Sequence, residues 1–196
     1  MKCLLFYDVE TTGLPRKPHG AKHTIWPRIV TLSWEICSEE SHILTFGDHI
    51  AKPDGFVIPR ESTDIHGVSH GQALKDGLAC RVVLSKMLDD IYRLRPRMLI
   101  AHNTQFDRNV LLSELATNSM WDERSAIESI PSFCTMKKST QYCALPRKKW
   151  PKLEELYWVV FNKQFANAHN SANDVEATRK CYFELVKRGV FESPWR

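Results

Sequence analysis

No pair among the six cysteines of this chain (Cys3, Cys37, Cys80, Cys134, Cys143 and Cys181) has the C-x-x-C spacing of a zinc or dithiol site. Several lie in apolar runs, where cysteine behaves as a small hydrophobe, so they read as reduced thiols of an intracellular protein. No apolar run approaches the ~20 residues of a membrane span. The N-terminal run ends at Asp8, which is too short for a secretory signal, so no membrane association is expected. An excess of one charge is also missing. Lys and Arg total 27 against 23 Asp and Glu, a net charge of +4, which permits an acidic partner without demanding one. No repeat, low-complexity tract or linker interrupts the 196 residues. A chain of this length and ordinary composition is expected to form one domain, 1–196, with a sizeable core.

What is there reads as alternating strands and helices. Residues 3–9 are a buried first strand, broken by Thr11, Thr12, Gly13 and Leu14. Strands are expected over 28–37 and 42–50, paired antiparallel across the turn at 38–41. From about Gly71 to Leu94 the apolar residues Leu74, Leu78, Val82, Leu84, Leu88 and Ile91 recur at helical steps, and Arg95-Pro96 ends the run. Residues 97–103 suit a short strand, 104–118 a helix, 131–139 another strand, and 153–161 and 174–188 two helices, the last closed by Gly189. Five strands in this order make a mixed-sheet α/β domain flanked by helices. Thr63 to His70 is expected as a connecting turn.

Three segments carry chemistry. Asp8 and Glu10 are two apart at the end of the first strand, so both project from one face. Hard divalent ions such as Mg²⁺ take carboxylate oxygens of this kind. Asp8 also ends an apolar run, where an unpaired charge is unfavourable. Asp107 falls in the first turn of the helix after the fourth strand. The helix dipole alone would favour an acid there, and Asn103 alone would serve as a cap. Asp174 opens the last helix, again as a cap by itself, and His169 lies five residues before it on a loop. Glu176 faces roughly 200° away from Asp174, at ~3.6 residues per turn, and is set aside.

Taken together, D-V-E-T-T-G-L at 8–14, A-H-N-x-x-F-D at 101–107 and H-N-S-A-N-D at 169–174 resemble the three exonuclease motifs of the DnaQ-like DEDDh family. Order, spacing and flanking residues agree, and I-H-G-V-S at 65–69 resembles the segment these enzymes carry between the first two motifs. The resemblance implies a single exonuclease domain with a ribonuclease H-like fold. It implies 3′→5′ exonuclease activity on DNA or RNA with two Mg²⁺ ions, for which Mn²⁺ substitutes. It makes Asp8, Glu10, Asp107 and Asp174 the metal-site carboxylates and His169 the general base. The family's tyrosine variant has Tyr four residues before the last Asp, where this chain has Asn170. By the same likeness Thr11, Gly13 and Leu14 surround the terminal nucleotide, with Asn103 and Phe106 as further substrate contacts. Leu14 is either a wedge beside a base or an ordinary turn-flanking core residue. Phe106 either stacks on a base or packs under the sheet.

Chemistry supports these roles. Two ions ~3.5–4 Å apart stabilise both the attacking and the leaving oxygen of an in-line displacement. An imidazole with an unperturbed pKa of ~6.5 accepts a proton from water near neutral pH. The product is a nucleoside 5′-monophosphate. Residues 137–152 add Lys137, Lys138, Arg147, Lys148, Lys149 and Lys152 with no acid, interleaved with Tyr142 and Trp150. This is either a phosphate-contacting flank or a solvated loop. The pairs His66/His70 and His19/His23 have zinc-like spacing but no third ligand nearby, so they are read as surface residues or local hydrogen-bond donors. The expected partner is a nucleic acid with a free 3′ end, with a polymerase or another replication or repair protein as a further one. The rival readings are an RNA-trimming exoribonuclease and a catalytically silent nucleic-acid-binding or proofreading subunit.

Overall fold

The computed structural model describes residues 2–165 and 169–193. Strand β1 (Cys3–Thr11) is the centre of the architecture. It pairs antiparallel with β2 (Ile29–Ser38), and β2 pairs antiparallel with β3 (Ile43–Lys52). Its other edge takes β5 (Leu99–Ala101) in parallel, and β5 takes β6 (Ser132–Cys134). A two-residue strand β4 (Leu78–Ala79) pairs with the end of β3. The sheet is therefore mixed, in the order β4-β3-β2-β1-β5-β6. It has the expected α/β layout, with β4 as one strand more than the five expected.

β1 is buried on both faces, which is why it reads as a continuous apolar run. Cys3, Leu5, Tyr7 and Val9 point into a core built with α3 (Cys80–Leu94) and α4 (Thr104–Thr117). Leu4 and Phe6 point the other way, toward α7 (Leu153–Phe161) and α8 (Ser171–Lys187). Continuing that alternation by two and by four residues puts Asp8 and Glu10 on the α8 side. The catalytic-looking face of β1 is thus the face on which α8 lies.

The expected helix from Gly71 to Leu94 is two helices. α2 (His70–Asp76) ends at Gly77, β4 follows, and α3 begins at Cys80. A side chain at Gly77 would meet the Ala73 carbonyl oxygen at 2.4 Å and the Lys52 main chain at 2.8 Å, so the break needs a glycine. Leu74, Leu78 and Val82, part of the apparent stripe, are exposed. The buried face of α3 is Val83, Leu84, Met87, Leu88 and Ile91. The expected strand over 131–139 is only the three residues of β6, as short as its partner β5. α6 (Thr135–Cys143) begins directly after β6. Sequence patterning missed α1 (Arg60–His66), which starts after Pro59 and ends at Gly67 with φ 80°, and α5 (Trp121–Ser129). α1 and α2 replace the connecting turn expected over Thr63 to His70.

Glu114 of α4, buried to 1%, fixes the entry to β2. It accepts from the Arg28 guanidinium (2.7 and 3.2 Å) and from the Ile29 N–H (3.0 Å). Glu114→Ala leaves these donors unpaired, and we expect it to lower unfolding stability by about 2–4 kcal/mol, read as a shift of the urea midpoint at unchanged slope. All six cysteines are free thiols. Among the described residues no helix is long and apolar enough to cross a membrane.

Candidate active site

Asp8 and Glu10 stand opposite Ser33 and Thr31 across the β1–β2 pair, and the register shifts just after Glu10. Asp174 reaches them from α8. It is not the cap of that helix, as its position at the expected start suggested. The helix begins at Ser171 and is capped by Asn170, whose side chain accepts from the Asn173 N–H (3.2 Å). Asp174 therefore lies one turn in, on the face against β1. One carboxylate oxygen from each of Asp8, Glu10 and Asp174 lies within 4.8 Å of the others. Glu176 is in a surface pair with Lys180 at 2.7 Å, away from the trio.

Asp107 approaches from the end of β1 rather than joining the trio. It is 3% exposed, and it accepts from the Val9 N–H (3.4 Å). The turn that delivers it is held by the Thr104 hydroxyl, which donates to the Phe133 carbonyl (2.6 Å) and accepts from the Ala101 N–H (3.3 Å). Asn103 occupies the cap position in the left-handed region (φ 79°), and its side chain makes no capping bond. Its cap role is thus not realised, which leaves its amide available. His169 is exposed with φ 67°, and its N–H donates to Asp174 Oδ2 (3.2 Å).

Burial raises the proton affinity of the four acids, and mutual charge adds to it for Asp8, Glu10 and Asp107. Burial, with the charges of Asp107, Asp174 and Glu10, holds the Asp8 carboxyl well above the carboxylate range. Burial, with the charges of Asp174 and Asp107, pushes Glu10 up to about 8. Asp107 also rises to about 8 through burial, against the opposing hydrogen bonds from its own N–H and that of Val9. Asp174 rises to about 6, by burial, with the His169 N–H and imidazole pulling it back. None of the ion pairs found among the described residues involves these four acids. One oxygen, Asp174 Oδ1, is buried with no hydrogen-bond partner. Clustered hard oxygens, acids outside the ion pairs and an orphaned carboxylate oxygen fit divalent cations.

The candidate substrate contacts divide. The Thr11 hydroxyl donates to the Gly13 carbonyl (2.7 Å), and Gly13 adopts φ 139° with open space where a side chain would be. Leu14 is 78% exposed, which removes the core reading and leaves an apolar side chain in solvent. Phe106 is half-buried against the sheet and meets Trp26 edge to face (6.4 Å), so it packs rather than presents a free ring. In the basic segment, Lys137 lies over the Trp150 ring (5.4 Å), and Lys149 pairs with Glu155 (2.7 Å).

Two histidines matter more than their sequence context suggests. His102 is bridged between the Thr135 hydroxyl (3.0 Å) and the Pro151 carbonyl (2.9 Å), and burial lowers its pKa to about 4, so it is neutral. It joins the second motif to the entrance of α7. His66, expected at the surface, is buried beside the Thr11 main chain. Its Nδ1 accepts from the Val68 N–H (3.2 Å), and the His70 Nδ1 accepts from the Ile58 N–H (3.4 Å), so both rings are local acceptors.

A family profile described as RNase T, exonuclease, matches residues 5–182. The chain belongs to this exonuclease family. Among curated proteins, none matches its sequence significantly. Solved structures share the fold of this chain at low identity. E. coli exonuclease I in complex with a dT13 oligonucleotide is 18% identical with a TM-score of 0.75, over 96% of this chain and 42% of that one. A zinc-bound form of the E. coli exonuclease I–single-stranded DNA complex gives 18% and 0.75, over 96% and 41%. Exonuclease I from Methylocaldum szegediense gives 20% and 0.73, over 96% and 41%. The fold is the ribonuclease H-like α/β fold, and the chain spans about two fifths of the length of those proteins.

Proposed function

We propose that the chain is a divalent-metal-dependent 3′→5′ exonuclease that trims single-stranded or frayed DNA to nucleoside 5′-monophosphates. The observation that carries this reading is the convergence of Asp8, Glu10 and Asp174 within 4.8 Å, with one buried Asp174 oxygen unpartnered. Two Mg²⁺ ions, or Mn²⁺ in their place, would be held by these three and by Asp107, and would offset the charge on the attacking and leaving oxygens. His169 takes the proton of the attacking water as the water oxygen bonds to phosphorus. The bond from phosphorus to the 3′ oxygen breaks, and that oxygen leaves with the shortened strand. The loop position of His169 suits a base that completes its approach when substrate is bound. Thr11, Gly13 and Leu14 border the terminal nucleotide, with Asn103 as a polar contact and Phe106 behind them.

Residues 1–196 act as a single exonuclease domain in this reading. Six free thiols fit an intracellular setting. Complexes of E. coli exonuclease I with dT13 and with single-stranded DNA support DNA as the substrate. A polymerase or another replication or repair protein is a further partner class, tested by co-elution.

The deciding experiment is a time course with 3′- and 5′-labelled single-stranded DNA and RNA, with Mg²⁺ or EDTA. Stepwise shortening of the 5′-labelled strand, with early release of the 3′ label as mononucleotide, is the expected result for DNA. Preferential loss of the RNA would move the assignment to an exoribonuclease. Survival of both strands with Mg²⁺ and with Mn²⁺ would leave a silent binding module.

The basic segment gives a separate prediction. Changing Lys148 and Lys149 together to Ala should weaken oligonucleotide binding and reduce the salt slope of log K by roughly 0.7–1.4, one to two phosphate contacts on a single strand. The lower end applies if the Lys149–Glu155 pair already takes that charge. An unchanged slope would make the segment an ordinary solvated loop.

A further inference from the structure

Directly across β2 from the acids lies a buried chain of hydroxyls. Thr31, cross-strand partner of Glu10, and Ser33, partner of Asp8, share the face on which α8 lies. Ser171, the first residue of α8, reaches between them, with its Oγ 2.8 Å from Thr31 Oγ1 and 2.7 Å from Ser33 Oγ. Ser33 in turn donates to Asp48 Oδ1 (2.7 Å), on the next strand and opposite it in register. All three hydroxyls are buried, Ser171 to 2%. Each hydroxyl has one proton, so the direction follows. Ser33 gives its proton to Asp48 and must accept from Ser171, and Ser171 must then accept from Thr31. The chain runs Thr31 to Ser171 to Ser33 to the Asp48 carboxylate, with every hydroxyl proton placed.

Asp174 is three residues beyond Ser171, within the same turn and a half of helix. It brings a carboxylate oxygen within 4.8 Å of oxygens of Asp8 and Glu10, so where the start of α8 sits on the sheet decides the geometry of the trio. The hydroxyl chain holds that start onto β2 at the two positions facing those acids. We propose that Thr31, Ser171, Ser33 and Asp48 are positioning residues that fix Asp174 and His169 against Asp8 and Glu10, and so set the affinity of the site for divalent cations. This rests on the metal-dependent reading above.

The test measures Mn²⁺ binding by calorimetry without substrate, alongside amide exchange over residues 169–174 in EDTA. Ser171→Ala and Thr31→Val, the latter keeping shape but not the hydroxyl, are expected to bind Mn²⁺ about tenfold more weakly. Both should exchange the His169 amide faster, and both should lower kcat with KM for an oligonucleotide nearly unchanged. Thr31→Ser, which restores the hydroxyl, should recover wild-type affinity. Wild-type Mn²⁺ affinity and wild-type exchange in Ser171→Ala and Thr31→Val would overturn the proposal. If the unaltered protein takes up no Mn²⁺, the metal-dependent reading fails instead, and the exchange rates alone decide whether the hydroxyls position α8. Thr31→Val also guards against a Ser171 variant that does not fold.

Discussion

Asp8→Ala is expected to reduce turnover of a single-stranded oligonucleotide by roughly 10³-fold or more and to abolish measurable Mn²⁺ uptake. Asp8 sits at the meeting point of the other three acids, whose charges all act on it or on its neighbours. In the proposed metal site its loss would remove a carboxylate from the middle of the constellation rather than its rim. His169→Ala should behave differently. His169 is exposed, and its main-chain N–H is what bonds Asp174, so its imidazole can be removed without disturbing that bond. Turnover should fall by about 10²–10⁴, the range for losing a general base, with Mn²⁺ affinity close to wild type. Turnover with labelled DNA and calorimetry with Mn²⁺, run on both variants, separate the two roles. A matching loss of metal affinity in the two variants would contradict the division. It would instead place His169 among the groups that hold the cation.

The parts of this site that are legible in the sequence are those written in local periodicity. A strand places residues two apart on one face, so spacing alone pairs Asp8 with Glu10. The helices over 153–161 and 174–188 are visible because their apolar residues recur at helical spacing, although α8 starts three residues earlier than expected. Periodicity also misleads. Leu74, Leu78 and Val82 continue the stripe of α3 in sequence but are exposed, because Gly77 breaks the helix to let β4 pair with β3. α1 escapes notice because Pro59 and Gly67 read as loop punctuation, when they are the start and the left-handed end of a two-turn helix. Least legible are the contacts between distant residues. Ser171 lies 138 and 140 positions from Ser33 and Thr31. Nothing in S-A-N-D marks its hydroxyl as different from any helix-starting serine. The burial of His66 beside Thr11 is of the same kind, a contact between residues 55 positions apart.

In EDTA the folded protein should lose stability as pH rises from 6.5 to 8.5, the reverse of what ion-paired carboxylates give. The sign follows from the raised proton affinities. In the unfolded chain all four acids have released their protons by pH ~5, since their ordinary pKa values are ~4. In the folded chain Glu10 and Asp107 hold theirs up to about 8, and Asp8 is raised as well. The folded state then binds more protons than the unfolded state through this window, so raising the pH favours unfolding. Below pH ~6.5 the buried histidines oppose this trend. His66 and His102 have lowered pKa values, and their contribution grows as pH rises toward the unfolded value. Glu40 and Glu155, whose carboxyls are lowered, act only in the acid range. Between 6.5 and 8.5 the crowded acids set the sign, joined near pH 8.5 by the buried thiols of Cys37, Cys80 and Cys181, which keep their protons in the folded chain, and the melting temperature should drop. Mg²⁺ at about a hundred times its dissociation constant should restore about 2.7 kcal/mol at pH 8.5 and less at pH 6.5, where protons compete for the same oxygens. Asp107→Asn provides the internal control. The amide oxygen can still accept from the Val9 N–H, but the charge that raises Asp8 and Glu10 is gone. Its melting temperature in EDTA should exceed that of the wild type at pH 8.5 and vary less with pH, while nuclease activity falls. A wild-type protein that grows more stable between pH 6.5 and 8.5 in EDTA would mean that cations of the chain itself already neutralise these acids, and no divalent ion would then be needed to hold them together.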